Sequence, residues 1–115
     1  MFPLNINEIE VAELQRWMEG EPDGFRIIDV RETMEYAQGT IPGAQHMPLS
    51  AFAQRMSELR QDEKIVFICR SGARSGQVCA YLGNMGFGRV FNLRGGMISW
   101  VQNGLAPVLP KRSIA

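Results

Sequence analysis

Six consecutive residues, Cys69-Arg70-Ser71-Gly72-Ala73-Arg74, hold the groups best suited to covalent chemistry in this chain. A cysteine acts as a nucleophile through its thiolate, and a free thiol titrates near ~8.5. A cysteine after an apolar run is often a small core residue, but two arginines and a glycine within five residues argue for a reactive one. Gly72 permits a tight backbone path, and a loop that opens a helix points its amides inward at the helix's positive end. A thiolate cradled by those amides, near Arg70 and Arg74, is expected to titrate well below a free cysteine and to need no histidine base. Arg70 and Arg74 are expected to bind an anion. The single histidine, His46, lies far away in sequence and reads as structural or half-exposed.

The elements that must position this loop alternate between short apolar runs and amphipathic stretches, which is the pattern of β-α units and a parallel sheet. Asn5 to Ile9 reads as a weak first strand, followed by a helix whose apolar face is Val11, Leu14, Trp17 and Met18 and which Gly20, Pro22 and Gly24 end. Phe25 to Val30 is a strand, Thr33 to Gln38 a short helix, and Gln45 to Met47 a short strand after the turn Ile41-Pro42-Gly43-Ala44. Leu49, Phe52, Met56 and Leu59 recur at helical spacing. Lys64 to Ile68 is the nearly continuous apolar run of a central strand buried on both faces. Cys69 follows it directly, at the strand end where open parallel sheets bind ligands. A helix from about Ser75 to Met85, a last strand from Arg89 to Leu93 and a final helix from Met97 to Gln102 complete five strands with helices between them. The tail from Leu105 to Ala115 is expected to wrap the surface or fray.

The chain has 115 residues, one domain's worth, with a core expected over about residues 6–107 and a tail over 108–115. Twelve basic residues balance twelve acidic ones, so neither nucleic acid nor an anionic membrane surface is expected as the main partner. No apolar run approaches the ~18 residues that span a bilayer, and Met1 to Asn5 carries no basic or long apolar leader, so a cytoplasmic location is expected. Cys69 and Cys79 with one histidine are too few ligands for a zinc site, and no cofactor is expected.

Several stretches resemble the rhodanese domain when taken together and in order. They are Ile27 to Glu32, Glu35-Tyr36, Gly39 to Ala44, the loop from Cys69 to Arg74 followed by Ser75, Leu93-Arg94-Gly95-Gly96, and Trp100. Each is weak alone, but the set is specific and runs from about Ile6 to Pro107. The resemblance implies the rhodanese-like α/β fold, a five-stranded parallel sheet flanked by helices on both faces, with the cysteine loop as active site. It also implies that Cys69 takes a sulfur from a small anionic donor such as thiosulfate, becomes a persulfide, and passes the sulfur to cyanide or a thiol, including a protein thiol. The amides from Arg70 through Ser71, Gly72 and Ala73 to Arg74 would hold the donor and then the persulfide. One departure is Thr40, where many family members carry histidine.

The remaining residues of interest read more plainly. Asp29 ends its strand beside the loop, where it either orients Arg74 or the loop or forms a structural salt bridge. Arg31 and Glu35 are spaced i, i+4 and are expected to pair. Cys79, on a helix face with Val78, Leu82 and Met85, is expected to be buried and inert. Gly95 and Gly96 suit a tight backbone, Trp100 a core lid, and the methionines core filling. Three other functions compete with sulfur transfer to a small acceptor: a persulfide carrier in a protein relay, a cysteine-loop phosphatase or arsenate reductase, and a non-enzymatic interaction module. Cysteine-loop phosphatases of the same fold place five residues between cysteine and arginine, whereas four stand here. The shorter loop encloses a space sized for sulfur rather than a tetrahedral phosphate. Modules of the third kind lack the cysteine that is present here.

Overall fold

A computed structural model describes residues 6–110. The order of elements is β1 (Asn7–Ile9), α1 (Val11–Gly20), β2 (Arg26–Asp29), α2 (Thr33–Ala37), β3 (Gln45–His46), α3 (Leu49–Arg55), β4 (Ile65–Ile68), α4 (Ala73–Asn84), β5 (Val90–Leu93) and α5 (Gly96–Gln102). A 3-10 turn, Met56–Glu58, extends α3. The five strands form one sheet in the order β1-β5-β4-β2-β3, and every pairing is parallel. The expected elements are all present with ends shifted by a few residues. Asn5 and residues 111–115 lie outside the described residues.

Side chains on a strand alternate faces, so β4 feeds two cores. Ile65, Phe67 and then Cys69 join Ile28, Val30, Phe52, Val78 and Leu82 on the side of α3 and α4. Val66 and Ile68 join Ile27, Leu14, Leu93, Met97 and Trp100 on the side of α1 and α5. All four residues of β4 are fully buried, as a strand with helices on both faces requires. Cys69 therefore inherits an inward direction from the alternation of the strand before it.

The connections from β2 and β4 leave the sheet in opposite directions, so a crevice opens between their carboxyl ends. The cysteine loop lies at that switch point. Two features fix its far end. Gly72 stands at φ +96°, left-handed backbone that favours glycine, immediately before α4. Gly96 begins α5 at φ +55°, where a Cβ would lie 2.7 Å from the Arg70 carbonyl oxygen. The α5 backbone thus presses on the loop, and the Met97 and Ile98 amides donate to the carbonyls of Cys69 (2.9 Å) and Arg70 (3.1 Å). With those carbonyls held outward by α5, the loop amides are left to face the sulfur.

Helix α4 stops one residue earlier than the sequence suggests. The Phe87 amide reaches back to the Leu82 carbonyl and the Gly86 amide to the Gly83 carbonyl, closing a Schellman turn. Met85 is consequently 43% exposed instead of lining the core with Val78, Cys79 and Leu82. Met34 is also exposed rather than core-filling, because α2 buries no residue. The tail wraps the surface as far as Val108. Thr40 and Val108 exchange backbone hydrogen bonds of 2.8 Å, and the Trp100 indole donates to the Ala106 carbonyl. Among the described residues no helix is long and apolar enough to cross a membrane.

Candidate active site

Cys69 is fully buried at the carboxyl end of β4. Its sulfur receives the Gly72 amide at 3.1 Å and the Ser75 amide at 3.5 Å, with the Ser75 hydroxyl at 3.3 Å. Burial pushes the thiol pKa up, but the Ser75 hydroxyl and the amides of Ser75, Gly72 and Ser71 outweigh it. The result lies below the ordinary thiol value. Gly72 and Ser75 can both reach the sulfur because the chain enters α4 between them, and the first turn of a helix has unspent amides. The Ala73 amide points instead at the Ser71 hydroxyl, at 3.4 Å.

Of the two loop arginines, Arg74 already has a partner. Arg74 forms a two-pronged ion pair with Glu35 of α2, at 2.7 and 2.8 Å. That pair holds the Glu35 carboxyl down at about 2 and raises Arg74 further above its ordinary value. Glu35 also accepts the Glu32 amide in the capping box of α2. The expected pair between Arg31 and Glu35 does not form, because α2 begins only at Thr33 and residues 31 and 35 do not share a helix. Arg31 folds back onto Asp29 with a 2.7 Å contact and donates to the Gly39 carbonyl at 2.6 Å. Asp29, fully buried, takes the structural alternative, accepting Arg31 and the Thr40 hydroxyl at 2.8 Å. It does not contact Arg74 or the loop backbone.

Arg70 is exposed and forms no ion pair among the described residues. With Arg31 and Arg74 neutralised by Asp29 and Glu35, it is the uncompensated cation at the crevice. It lines a cleft of about 480 Å³ with Arg31, Glu35, Met97, Ile98 and Val101. His46 is half-buried, stacked on Tyr36 with ring centroids 4.1 Å apart, and its Nε2 meets the Arg31 carbonyl at 2.7 Å. Cys79 is a buried free thiol whose pKa burial pushes up to about 12. Among the described residues no three His, Cys, Asp or Glu side chains are grouped to hold a metal ion.

Three roles escape a reading of the sequence: Ser75 as a donor to the sulfur, Asn92 as its partner, and Glu35 as the partner of Arg74. The Ser75 hydroxyl donates to Asn92 Oδ1 at 2.6 Å, and the Asn92 side-chain amide donates to Gly72 O at 3.1 Å and Glu8 at 3.0 Å. For Ser75 a signal was present, since a hydroxyl just after Arg74 falls in the first turn of the helix. Glu35 was singled out, but with Arg31 as partner, since Arg74 lies 39 positions away; for Asn92 there was no signal, because Glu8 lies 84 positions away.

A buried sulfur held by helix-start amides at the switch point of a parallel sheet defines a class: α/β domains with a cysteine loop at the carboxyl edge of the sheet. Within that class, this chain belongs to the family of rhodanese-like domains, whose family model matches residues 10–103. It is 45% identical over 106 residues to a sulfurtransferase of Allochromatium vinosum, covering 92% of this chain and 98% of that protein. A putative sulfurtransferase of Bacillus subtilis is 43% identical over 97 residues, 84% of this chain and 92% of that one. The crystal structure of a rhodanese-related protein from Thermoplasma volcanium superposes with a TM-score of 0.80 at 28% identity, covering 90% of this chain and 99% of that one. Sulfur transfer is the activity that this membership supports.

Proposed function

We propose that the protein moves a sulfane sulfur from thiosulfate, or from a persulfide donor, to a thiol or cyanide acceptor through a persulfide on Cys69. The observation that carries this reading is the convergence of the Gly72 and Ser75 amides and the Ser75 hydroxyl on one sulfur. The Cys69 thiolate attacks the outer sulfur of thiosulfate, the S–S bond of the donor breaks, and sulfite leaves with the bonding pair. An acceptor thiolate or cyanide then attacks the sulfane sulfur, and Cys69 leaves as its thiolate into the same donors. Arg70 is the cation available to the donor's anionic end. Ser71, Gly72 and Ala73 shape the loop, and Arg74 anchors it to α2 through Glu35. Asp29 supports the neighbouring turn through Arg31 and Thr40. Because Cys69 is buried, donor entry requires movement of the residues that cover it.

Thiosulfate as donor is supported by likeness to a thiosulfate sulfurtransferase of Actinobacillus pleuropneumoniae, 28% identical over 84% of this chain and 89% of that one. A second reading, a persulfide carrier handing sulfur to a protein thiol, is supported by a putative sulfur carrier protein of Bacillus subtilis. That protein is 34% identical over 84% of this chain and 51% of that one. Two free cysteines suit the reducing cytoplasm in either reading. The test is mass spectrometry of the intact protein after incubation with thiosulfate. One added sulfur atom mapping to Cys69 and discharged by cyanide is expected. Sulfur on Cys79, or none from either thiosulfate or an organic persulfide, overturns the mechanism. Loading by an organic persulfide but not by thiosulfate selects the relay.

A further inference from the structure

The Ser75 hydroxyl carries one proton and has two acceptors. Asn92 Oδ1 lies 2.6 Å away and the Cys69 sulfur 3.3 Å away. The amide orientation of Asn92 is fixed by its other partners. Both Nδ2 hydrogens point at groups that can only accept, the Gly72 carbonyl and the Glu8 carboxylate. Turning the amide over would set Oδ1 against those two oxygens. The oxygen of Asn92 therefore always faces Ser75. Ser75 is fully buried and Asn92 2% exposed, so water does not replace either partner.

We propose that Asn92 is a positioning residue that acts on Cys69 through Ser75, taking the hydroxyl proton whenever the sulfur is neutral and yielding it when the sulfur is anionic. In the thiol form, the S–H donates to Ser75 Oγ and the hydroxyl donates to Asn92. In the thiolate form the hydroxyl turns to the sulfur, and Asn92 Oδ1 loses its donor. This second state costs one buried hydrogen bond, so Asn92 opposes the thiolate even as it holds Gly72 in place.

The same exchange runs through sulfur transfer, which at this point rests on the function proposed above. Loading converts thiolate plus thiosulfate dianion into the persulfide anion plus sulfite dianion, with one S–S bond formed and one broken. Charge then sits on the terminal sulfur, and Sγ, now bonded to two atoms, no longer calls for the hydroxyl. The proton returns to Asn92, which thereby favours the loaded protein over the free thiolate.

Other charged and titratable groups surround the sulfur: Arg70 and Arg74 of the loop and α4, Glu35 of α2, Asp29 and Arg31 at the end of β2, Glu8 of β1 and Cys79 of α4. Helix α5 brings none. Asn92→Leu removes the Asn92 contact to Glu8 whether or not Ser75 is present, so a double-mutant cycle cancels that change and separates the relay from it.

The measurement is the pH midpoint of Cys69 alkylation by iodoacetamide in the native protein, Asn92→Leu, Ser75→Ala and the double variant. Replacing Asn92 while Ser75 is present should move the midpoint downward relative to the same replacement in the Ser75→Ala background. The expected difference is about half a pH unit or more, the size that one neutral hydrogen bond supports. Equal shifts in the two backgrounds, or a difference of opposite sign, overturn the proposal, because a purely structural role through Gly72 does not depend on Ser75. If Asn92→Leu does not fold, nuclear magnetic resonance decides. The Asn92 side-chain amide should titrate at the Cys69 midpoint in the native protein and lose at least half of that response in Ser75→Ala. An unchanged response overturns the proposal. Neither readout involves a sulfur donor, so failure of both thiosulfate and an organic persulfide to load Cys69 would refute the function proposed above and leave this test standing.

Discussion

Replacing Ser75 by alanine tests what makes Cys69 reactive. The substitution removes a hydroxyl 3.3 Å from the sulfur and leaves the backbone amides of residues 72 and 75 in place. Alanine suits a helix interior, so α4 should be intact. A hydrogen bond to a charged acceptor contributes ~1.5–3 kcal/mol. Asn92 competes for this proton at 2.6 Å, which places the effect at the lower end of that range. The Cys69 pKa should therefore rise by about one unit, since one unit corresponds to ~1.4 kcal/mol. Arg74→Gln is the control. Its guanidinium makes no hydrogen bond to the sulfur, whose donors come from Gly72 and Ser75, so its removal should shift Cys69 by less than half as much. The assay is the pH dependence of the alkylation rate, read as a midpoint so that altered access to a buried thiol does not enter. A rise below about 0.3 unit for Ser75→Ala, or a larger one for Arg74→Gln, would refute the hydroxyl-and-amide account and restore the arginines as the cause.

Cys79→Ser should leave sulfur loading on Cys69 intact while costing about 1–2 kcal/mol in denaturant melts, because a polar group replaces a thiol that is 2% exposed. In the native protein at neutral pH, iodoacetamide should label Cys69 and spare Cys79, whose pKa of about 12 keeps it protonated. Glu35 has a folded pKa of about 2 against an ordinary 4.5, so its stabilisation is present above 4.5 and lost as pH falls from there toward 2. Both partners are about a third exposed, so screening reduces this to about 1 kcal/mol; acid melts of Glu35→Gln should lack that part of the pH dependence. Gly96→Ala should cost more than about 2 kcal/mol through its left-handed backbone and the nearby Arg70 carbonyl, lowering Tm by roughly 10 °C in a thermal melt.

The strands and the cysteine loop were legible because their signals are local. Ile65 to Ile68 is apolar without interruption, and a strand buried on both faces reads that way whatever surrounds it. Cys69 follows the strand directly, so its place at the sheet's carboxyl edge came with the strand. The electrostatics were not legible, because partners are chosen by topology. Arg74 meets Glu35 across 39 positions and Asn92 meets Glu8 across 84, separations that carry no pattern in the sequence. Arg31 and Glu35 show the converse: helical spacing suggested a pair, and a helix that starts two residues too late removed it. Met85 failed for a similar reason, since the turn at Gly86 lifts it off the face its periodicity assigns.

The contact between Glu8 and Asn92 joins the first strand to the last, and the α5 amides reach back to the loop from beyond β5. Contacts of such sequence separation form late, after the local helices and short-range contacts that close at lower entropic cost. The donors that face the sulfur come from residues 72 and 75, close by in the chain, but the Cys69 and Arg70 carbonyls are held outward by amides of residues 97 and 98. A lesion that detaches the final helix should therefore disturb the path of the cysteine loop before it disturbs the pairing of the central strands.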